Sequence, residues 1–160
     1  MNNHHFTAKR KVFSYTQTIN TVPEKIFPLL CPVREVEWLD GWTYKMIYSV
    51  SGLAELGAVF STSADDEEDT VWIITKHDIK NYVVEFTRFT PGIRTCVLSI
   101  EVKSKDDYHS LVEICYRYTG LTDAGNKYID DYEVEEFNKN MKFWEDSMNY
   151  FLETGCTLRH

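Results

Sequence analysis

The chain has 160 residues, with 17 Lys or Arg against 25 Asp or Glu, a net charge of −8 and 14% aromatic side chains. Its length fits one domain with a sizeable core, so residues 1–160 are read as a single domain whose first ten residues form a loose tail. An acidic chain of this kind is a poor match for nucleic acid or an anionic membrane surface, since both are held by Lys and Arg.

Val12 to Asn20 alternates and is rich in Thr, Tyr and Phe, as a first strand should be. Thr21 or a neighbour caps a helix with Pro23 in its first turn, and Pro28 and Pro32 keep that helix short. Tyr44 to Val50 places Tyr44, Met46, Tyr48 and Val50 on one face, with Ala58 to Ser63 as its hairpin partner. Asp65, Asp66, Glu67, Glu68 and Asp69 then read as a solvated loop. Four strongly patterned strands follow: Val71–Asp78, Tyr82–Phe89, Ile93–Lys103 and Leu111–Thr119.

Thr122 to Asp130 reads as a separate short turn or helix. Beyond it Val134, Phe137, Met141, Trp144, Met148 and Phe151 repeat at helical spacing, Gly155 supplies a stop, and Glu135–Lys139 and Lys142–Asp146 are i,i+4 pairs on the wet side. Asp130, Asp131, Glu133, Glu135 and Glu136 crowd the start of this helix, where its dipole favours anions. Without these five and the five loop acids, the rest of the chain holds 15 acidic against 17 basic groups, so the negative charge is local. The order is α+β, an antiparallel sheet wrapped on a C-terminal helix.

The chain opens Met-Asn-Asn-His-His-Phe without a signal-like apolar run, and nothing approaches the ~18 continuous apolar residues of a membrane span. Cys31, Cys96, Cys115 and Cys156 are scattered, which fits reduced thiols in a cytoplasmic protein. His4, His5, His109 and His160 have no zinc-like spacing, and P-loop, Gly-x-Ser-x-Gly and dinucleotide-binding motifs are missing. No metal and no cofactor are therefore expected.

Strand register assigns a lining. Pairing Arg88 with Arg94 across the Thr90-Pro91-Gly92 turn also pairs Phe86 with Cys96, Val84 with Leu98 and Tyr82 with Ile100. Pairing Cys96 with Tyr116 continues the apolar face, whereas the alternative register would bury Glu113 and Arg117. It also puts Cys96 and Cys115 on opposite faces, which argues against a disulfide. Val71, Ile73, Thr75 and His77 are assigned to the same concave face, leaving Trp72 with Ile74 and Val83 on the convex side as an exposed ring or a homodimer contact. Arg88 opposite Arg94 would be uncomfortable unless an anion relieved it.

Ile19-Asn-Thr-Val-Pro-Glu-Lys-Ile-Phe-Pro-Leu-Leu, Val33-Arg-Glu-Val-Glu-Trp-Leu-Asp-Gly-Trp, Trp72-Ile-Ile-Thr-Lys-His-Asp, Tyr118-Thr-Gly-Leu-Thr-Asp-Ala-Gly-Asn and Met141-Lys-Phe-Trp-Glu resemble the START/polyketide-cyclase (SRPBCC) superfamily. The likeness is to an uncharacterised bacterial branch and covers essentially the whole chain. It implies the helix-grip fold of the major birch pollen allergen: β-α-α-β6-α, about seven strands around a long C-terminal helix, enclosing an apolar cavity. It carries no common catalytic signature. The function expected is binding of a small hydrophobic or aromatic ligand, with an anionic end, by Trp38, Trp42, His77, Tyr82, Phe86, Arg88, Arg94, Tyr116, Tyr118 and Trp144. Two alternatives stand beside it: a cyclase or dehydratase using His77 and a cavity tyrosine as acid and base, and a chaperone-activator type interaction module whose cavity is filled by its own side chains.

Overall fold

The structure, a computed structural model, describes residues 5–63 and 69–160. His4 and the acids at 65–68 lie outside the described residues. Seven strands, β1 (Arg10–Ile19), β2 (Lys45–Tyr48), β3 (Val59–Thr62), β4 (Thr70–Asp78), β5 (Val83–Thr90), β6 (Arg94–Ser104) and β7 (Ser110–Gly120), form one antiparallel sheet. Its order is β1-β7-β6-β5-β4-β3-β2, so the first strand closes against the last and β2 is the other edge. The helices are α1 (Pro23–Ile26), α2 (Pro32–Glu35), α3 (Asp123–Asp131) and α4 (Val134–Thr154), with a 3-10 turn at Phe27–Leu29.

Prolines explain the broken first helical region. Pro23 and Pro32 each occupy a first turn, and Pro28 lies inside the 3-10 turn, so no segment there exceeds about one turn. Val22, not Thr21, stands at the N-cap of α1, and no side chain caps that helix. The 21-residue α4 ends at Gly155, whose φ of 72° carries its N–H back to the Phe151 carbonyl at 2.7 Å. Phe137, Met141 and Met148 bury the α4 stripe, and Lys142 pairs with Asp146 at 2.8 Å, whereas among the described residues Glu135 and Lys139 form no ion pair. Gln17 Nε2 donates to the Met141 carbonyl at 2.9 Å, tying α4 to β1.

In β6 and β7 every second residue points inward: Cys96, Leu98, Ile100 and Val102, then Val112, Ile114, Tyr116 and Tyr118. The pairing differs from expectation by two residues. Arg88 faces Cys96, Phe86 faces Leu98 and Cys96 faces Tyr118, while Thr90 faces Arg94 across a turn closed by Ile93 N–H to the Thr90 carbonyl at 3.1 Å. A two-residue slip preserves which face each side chain takes, so the inward set survives, but it separates the two arginines along the sheet.

β4 departs further. Trp72 and Ile74 face inward, and Val71, Ile73 and Thr75 face outward, until a bulge between Ile74 and Lys76 turns His77 inward opposite Val84. The assignment of Val71, Ile73 and Thr75 to the concave face is thus corrected, and so is that of Trp72 to the convex one. Trp72 is 6% exposed, stacks on Phe60 and donates from Nε1 to Thr62 Oγ1 at 2.9 Å. Burying the largest side chain of the strand outweighs unbroken alternation, and the dimer contact suggested for Trp72 has no surface to act through. β2 is also shorter than expected, and Tyr48 and Val50 are exposed.

Nor are residues 7–10 a loose tail. Arg10 begins β1, Asn126 Nδ2 donates to the Thr7 carbonyl, and Lys9 Nζ pairs with Asp130 at 2.5 Å. Among the described residues no helix is long and apolar enough to cross a membrane.

Candidate functional site

The interior is not one open cavity. Trp38, Phe86, Phe137, Met141 and Met148 are buried in a continuous core, and space remains in chambers toward its ends. Trp38 is 1% exposed, donates from Nε1 to the Leu29 carbonyl and meets Trp144 edge to face at 6.3 Å.

A chamber of about 300 Å³ lies where β5, β6 and β7 meet α3 and α4. Arg88 and Arg94 enter from the sheet beside Tyr116 and Tyr118; Tyr128 and Tyr132 come from α3 and its end; Glu136, Asn140 and Trp144 come from α4. A second chamber of about 200 Å³ shares both arginines and adds Trp42, Thr43, Thr62 and Thr70. Trp42 is anchored by its Nε1 bond to the Pro32 carbonyl at 2.9 Å.

The half-buried Arg88 is the electrostatic centre. Its guanidinium carbon stands 5.0 Å from the Trp72 ring and 5.4 Å from each of Tyr116 and Tyr118, and Nη2 donates to the Tyr118 hydroxyl at 2.6 Å. Burial works against its charge, but Tyr118, Cys96, Tyr116 and Tyr128 more than offset that, and its pKa is raised. The same enclosure pushes up the Tyr116, Tyr118 and Cys96 pKa values, with Arg88 opposing each shift. All three groups are therefore neutral beside a permanent cation, and among the described residues Arg88 forms no ion pair. Arg94 lies 3.8 Å over the Tyr128 ring, and Tyr128 stacks on Tyr132 at 5.9 Å.

His77 and Tyr82 lie elsewhere. Both pack on Phe27, at 5.3 and 5.8 Å between ring centroids, and His77 opens onto a chamber of about 210 Å³ with Cys31, Arg34, Leu53 and Ile79. Burial lowers the His77 pKa, with Glu55 partly compensating. Tyr82 takes a φ of 56°, a strained value for an aromatic residue at the tight turn into β5.

Of the residues singled out from the sequence, Arg88, Arg94, Tyr116, Tyr118 and Trp144 converge on one chamber, and Trp42 joins the adjoining one. Phe86 and Trp38 are core, and His77 and Tyr82 are at the far end of β5. Trp72, Tyr128 and Tyr132 were missed. Tyr128 and Tyr132 are spaced i,i+4, a signal that continuing the short helix past Asp130 would have revealed.

No protein-family profile matches the sequence, and no curated protein matches it significantly. Solved structures do match in shape. Norcoclaurine synthase from Thalictrum flavum in complex with dopamine and hydroxybenzaldehyde aligns with a TM-score of 0.66 at 11% identity, over 91% of this chain and 88% of that one. Ara h 8.0201 gives 0.61 at 13%, over 91% and 100%. A putative uncharacterized protein from Rhizobium leguminosarum gives 0.63 at 10%, over 92% and 97%. The chain has the helix-grip fold that these structures share. In this helix-grip protein the grip is partly closed: α4 lies on the sheet through Met141 and Met148, and the aromatic chamber opens beside its N-terminal half.

Proposed function

We propose that the protein binds a small aromatic ligand with an anionic end in the chamber walled by Arg88, Tyr116 and Tyr118. One observation carries the reading: a guanidinium enclosed by three aromatic rings with no ion-pair partner among the described residues. Enclosed charges are paired or meet a ligand, and a carboxylate or phenolate would take both the charge and the forked donors. A volume of about 300 Å³ is at the low end of ligand pockets, roughly 300–1,000 Å³, which favours one ring over a lipid chain. Dopamine and hydroxybenzaldehyde, named for the norcoclaurine synthase structure, support the small aromatic part of this reading. Four free cysteines support a reducing, cytoplasmic setting.

Extraction and native mass spectrometry of the purified protein test this first. Titration calorimetry with benzoate and 4-hydroxybenzoate tests it directly, with Arg88→Leu losing at least tenfold in affinity. Equal binding by both proteins would defeat the reading. The interaction-module alternative draws its support from the Trp38–Trp144 contact at the centre of the core. An empty protein that binds neither probe would favour it.

A further inference from the structure

One end of the sheet carries a row of hydroxyls. Thr62 of β3 stands opposite Thr70 of β4, and Thr90 of β5 stands opposite Arg94 of β6. Thr70 Oγ1 and Thr90 Oγ1 meet at 2.8 Å, which joins the two pairs into one row across four strands. The row lies two residues along from the inward row of Phe60, Trp72 and Arg88, so its side chains take the same face. Thr70 and Arg94 are 8% exposed and Thr90 is 3% exposed. Thr62, Thr70, Arg88 and Arg94 all line the chamber of about 200 Å³ beside Trp42.

A threonine pair holds two hydroxyl protons and uses one of them. Among the described residues neither Thr70 nor Thr90 has a further side-chain partner, so a buried pair is left with one proton and no acceptor. With Thr90 donating to Thr70, that proton belongs to Thr70 and meets the chamber. Thr62 Oγ1 accepts from Trp72 Nε1 at 2.9 Å, which leaves its own proton to donate as well. A second pair, Thr75 with Thr87 at 3.0 Å, lies on the outward face, and there the Glu85 carboxylate takes the spare proton at 2.7 Å. The inward row has no such acceptor. Among the described residues no carboxylate lines this chamber, whereas Glu136 lines the chamber of Tyr116 and Tyr118. Arg88 lines both and brings the forked donors of its guanidinium.

We propose that this smaller chamber is an oxyanion subsite for a tetrahedral group, a phosphate, sulfate or sulfonate, whose aromatic carrier fills the chamber walled by Tyr116 and Tyr118. A carboxylate presents two oxygens in one plane, which a single guanidinium fork engages. Donors arriving from β3 and β4 as well as from β5 suit three oxygens spread over a tetrahedral face. This inference rests on the binding reading above and narrows its ligand to aromatic rings that carry such a group. The threonine donors are the discriminating element, because an anion without the third oxygen leaves them unmatched.

The probes are benzoate and benzenesulfonate, each a phenyl ring bearing one singly charged anion, of which only the second has a third oxygen. In calorimetric titrations near neutral pH we expect the wild-type protein to bind benzenesulfonate about tenfold more tightly, the worth of one hydrogen bond to a charged group. Thr70→Val keeps the shape of the side chain without its hydroxyl and should bring the ratio of the two affinities to about one; Thr70→Ser should restore it. Phenyl phosphate against phenyl sulfate then separates the two carriers, with the dianion the tighter ligand of a phosphate site and the monoanion that of a sulfate site. Equal binding of benzoate and benzenesulfonate by the wild type, or a ratio unchanged in Thr70→Val, overturns the inference and leaves the binding reading standing. The wild-type comparison decides by itself if Thr70→Val does not fold. Failure of all four compounds to bind the wild-type protein overturns both.

Discussion

Replacing Glu35 by Gln should stabilise the protein at alkaline pH and leave it little changed in acid. Glu35 ends α2 and is 7% exposed, and burial moves its carboxyl from an ordinary 4.5 in the unfolded chain to about 8 in the folded one. A group whose pKa is raised by folding contributes fully below its unfolded value, and that contribution is lost as pH rises through its folded value. At about 1.36 kcal/mol per pH unit, the interval from 4.5 to about 8 corresponds to a loss on the order of 5 kcal/mol, complete by roughly pH 9. That is a large share of the ~5–15 kcal/mol that holds a domain of this size together. The assay is urea unfolding of wild type and Glu35→Gln in matched buffers from pH 4 to pH 9. Asp40, Glu55, Asp78 and Asp106 have carboxyl pKa values lowered by hydrogen bonds, giving stability that is lost as pH falls, but they titrate alike in both proteins and cancel in the difference. The two curves should meet near pH 4 and separate steadily above pH 5, with the Gln variant the more stable. Parallel curves would refute the argument, since they would mean that Glu35 is ionised and solvated in the folded protein.

Trp38→Ala should cost about 3–5 kcal/mol in the same unfolding experiment, because it empties a fully buried site in contact with Trp144. Gly125→Ala should lower stability by roughly 1–3 kcal/mol or more, because the added Cβ would fall 1.7 Å from the Ile93 carbonyl oxygen and force α3 away from the β5–β6 turn; a variant as stable as wild type would contradict that packing. Arg88→Leu should abolish the salt dependence of benzoate binding together with at least tenfold of its affinity, both measured by calorimetry.

Fold and site were legible to different depths. The inward faces of β5, β6 and β7 could be read because Glu113 and Arg117 tolerate only one parity, and parity survives a slip of two residues. The same argument could not separate Arg88–Arg94 pairing from Thr90–Arg94 pairing, which depends on how tightly Thr90-Pro91-Gly92-Ile93 turns. In β4 the sequence Val71-Trp-Ile-Ile-Thr-Lys-His is apolar at both parities, so only the packing of Trp72 against Phe60 and Phe86 decides the face. The helical stripe of α4 was visible from Phe137, Met141 and Met148, but not that Trp38 would cross to meet Trp144 and fill the expected cavity. Glu35 was hidden for a simpler reason. Two glutamates flank Val36, and nothing in the order Glu-Val-Glu says that the first is inside and the second outside until the turn is placed against the sheet.

The bulge in β4 gives that strand two independent jobs. Before Thr75, the inward Trp72 shapes the wall beneath Arg88; after it, the inward His77 shapes the chamber around Phe27. Because the extra residue resets the alternation, substitutions in one half do not constrain the other. A lineage could retune one chamber while leaving its neighbour intact. Deleting Thr75 would couple the two again, since a single register would then have to serve both tryptophan and histidine.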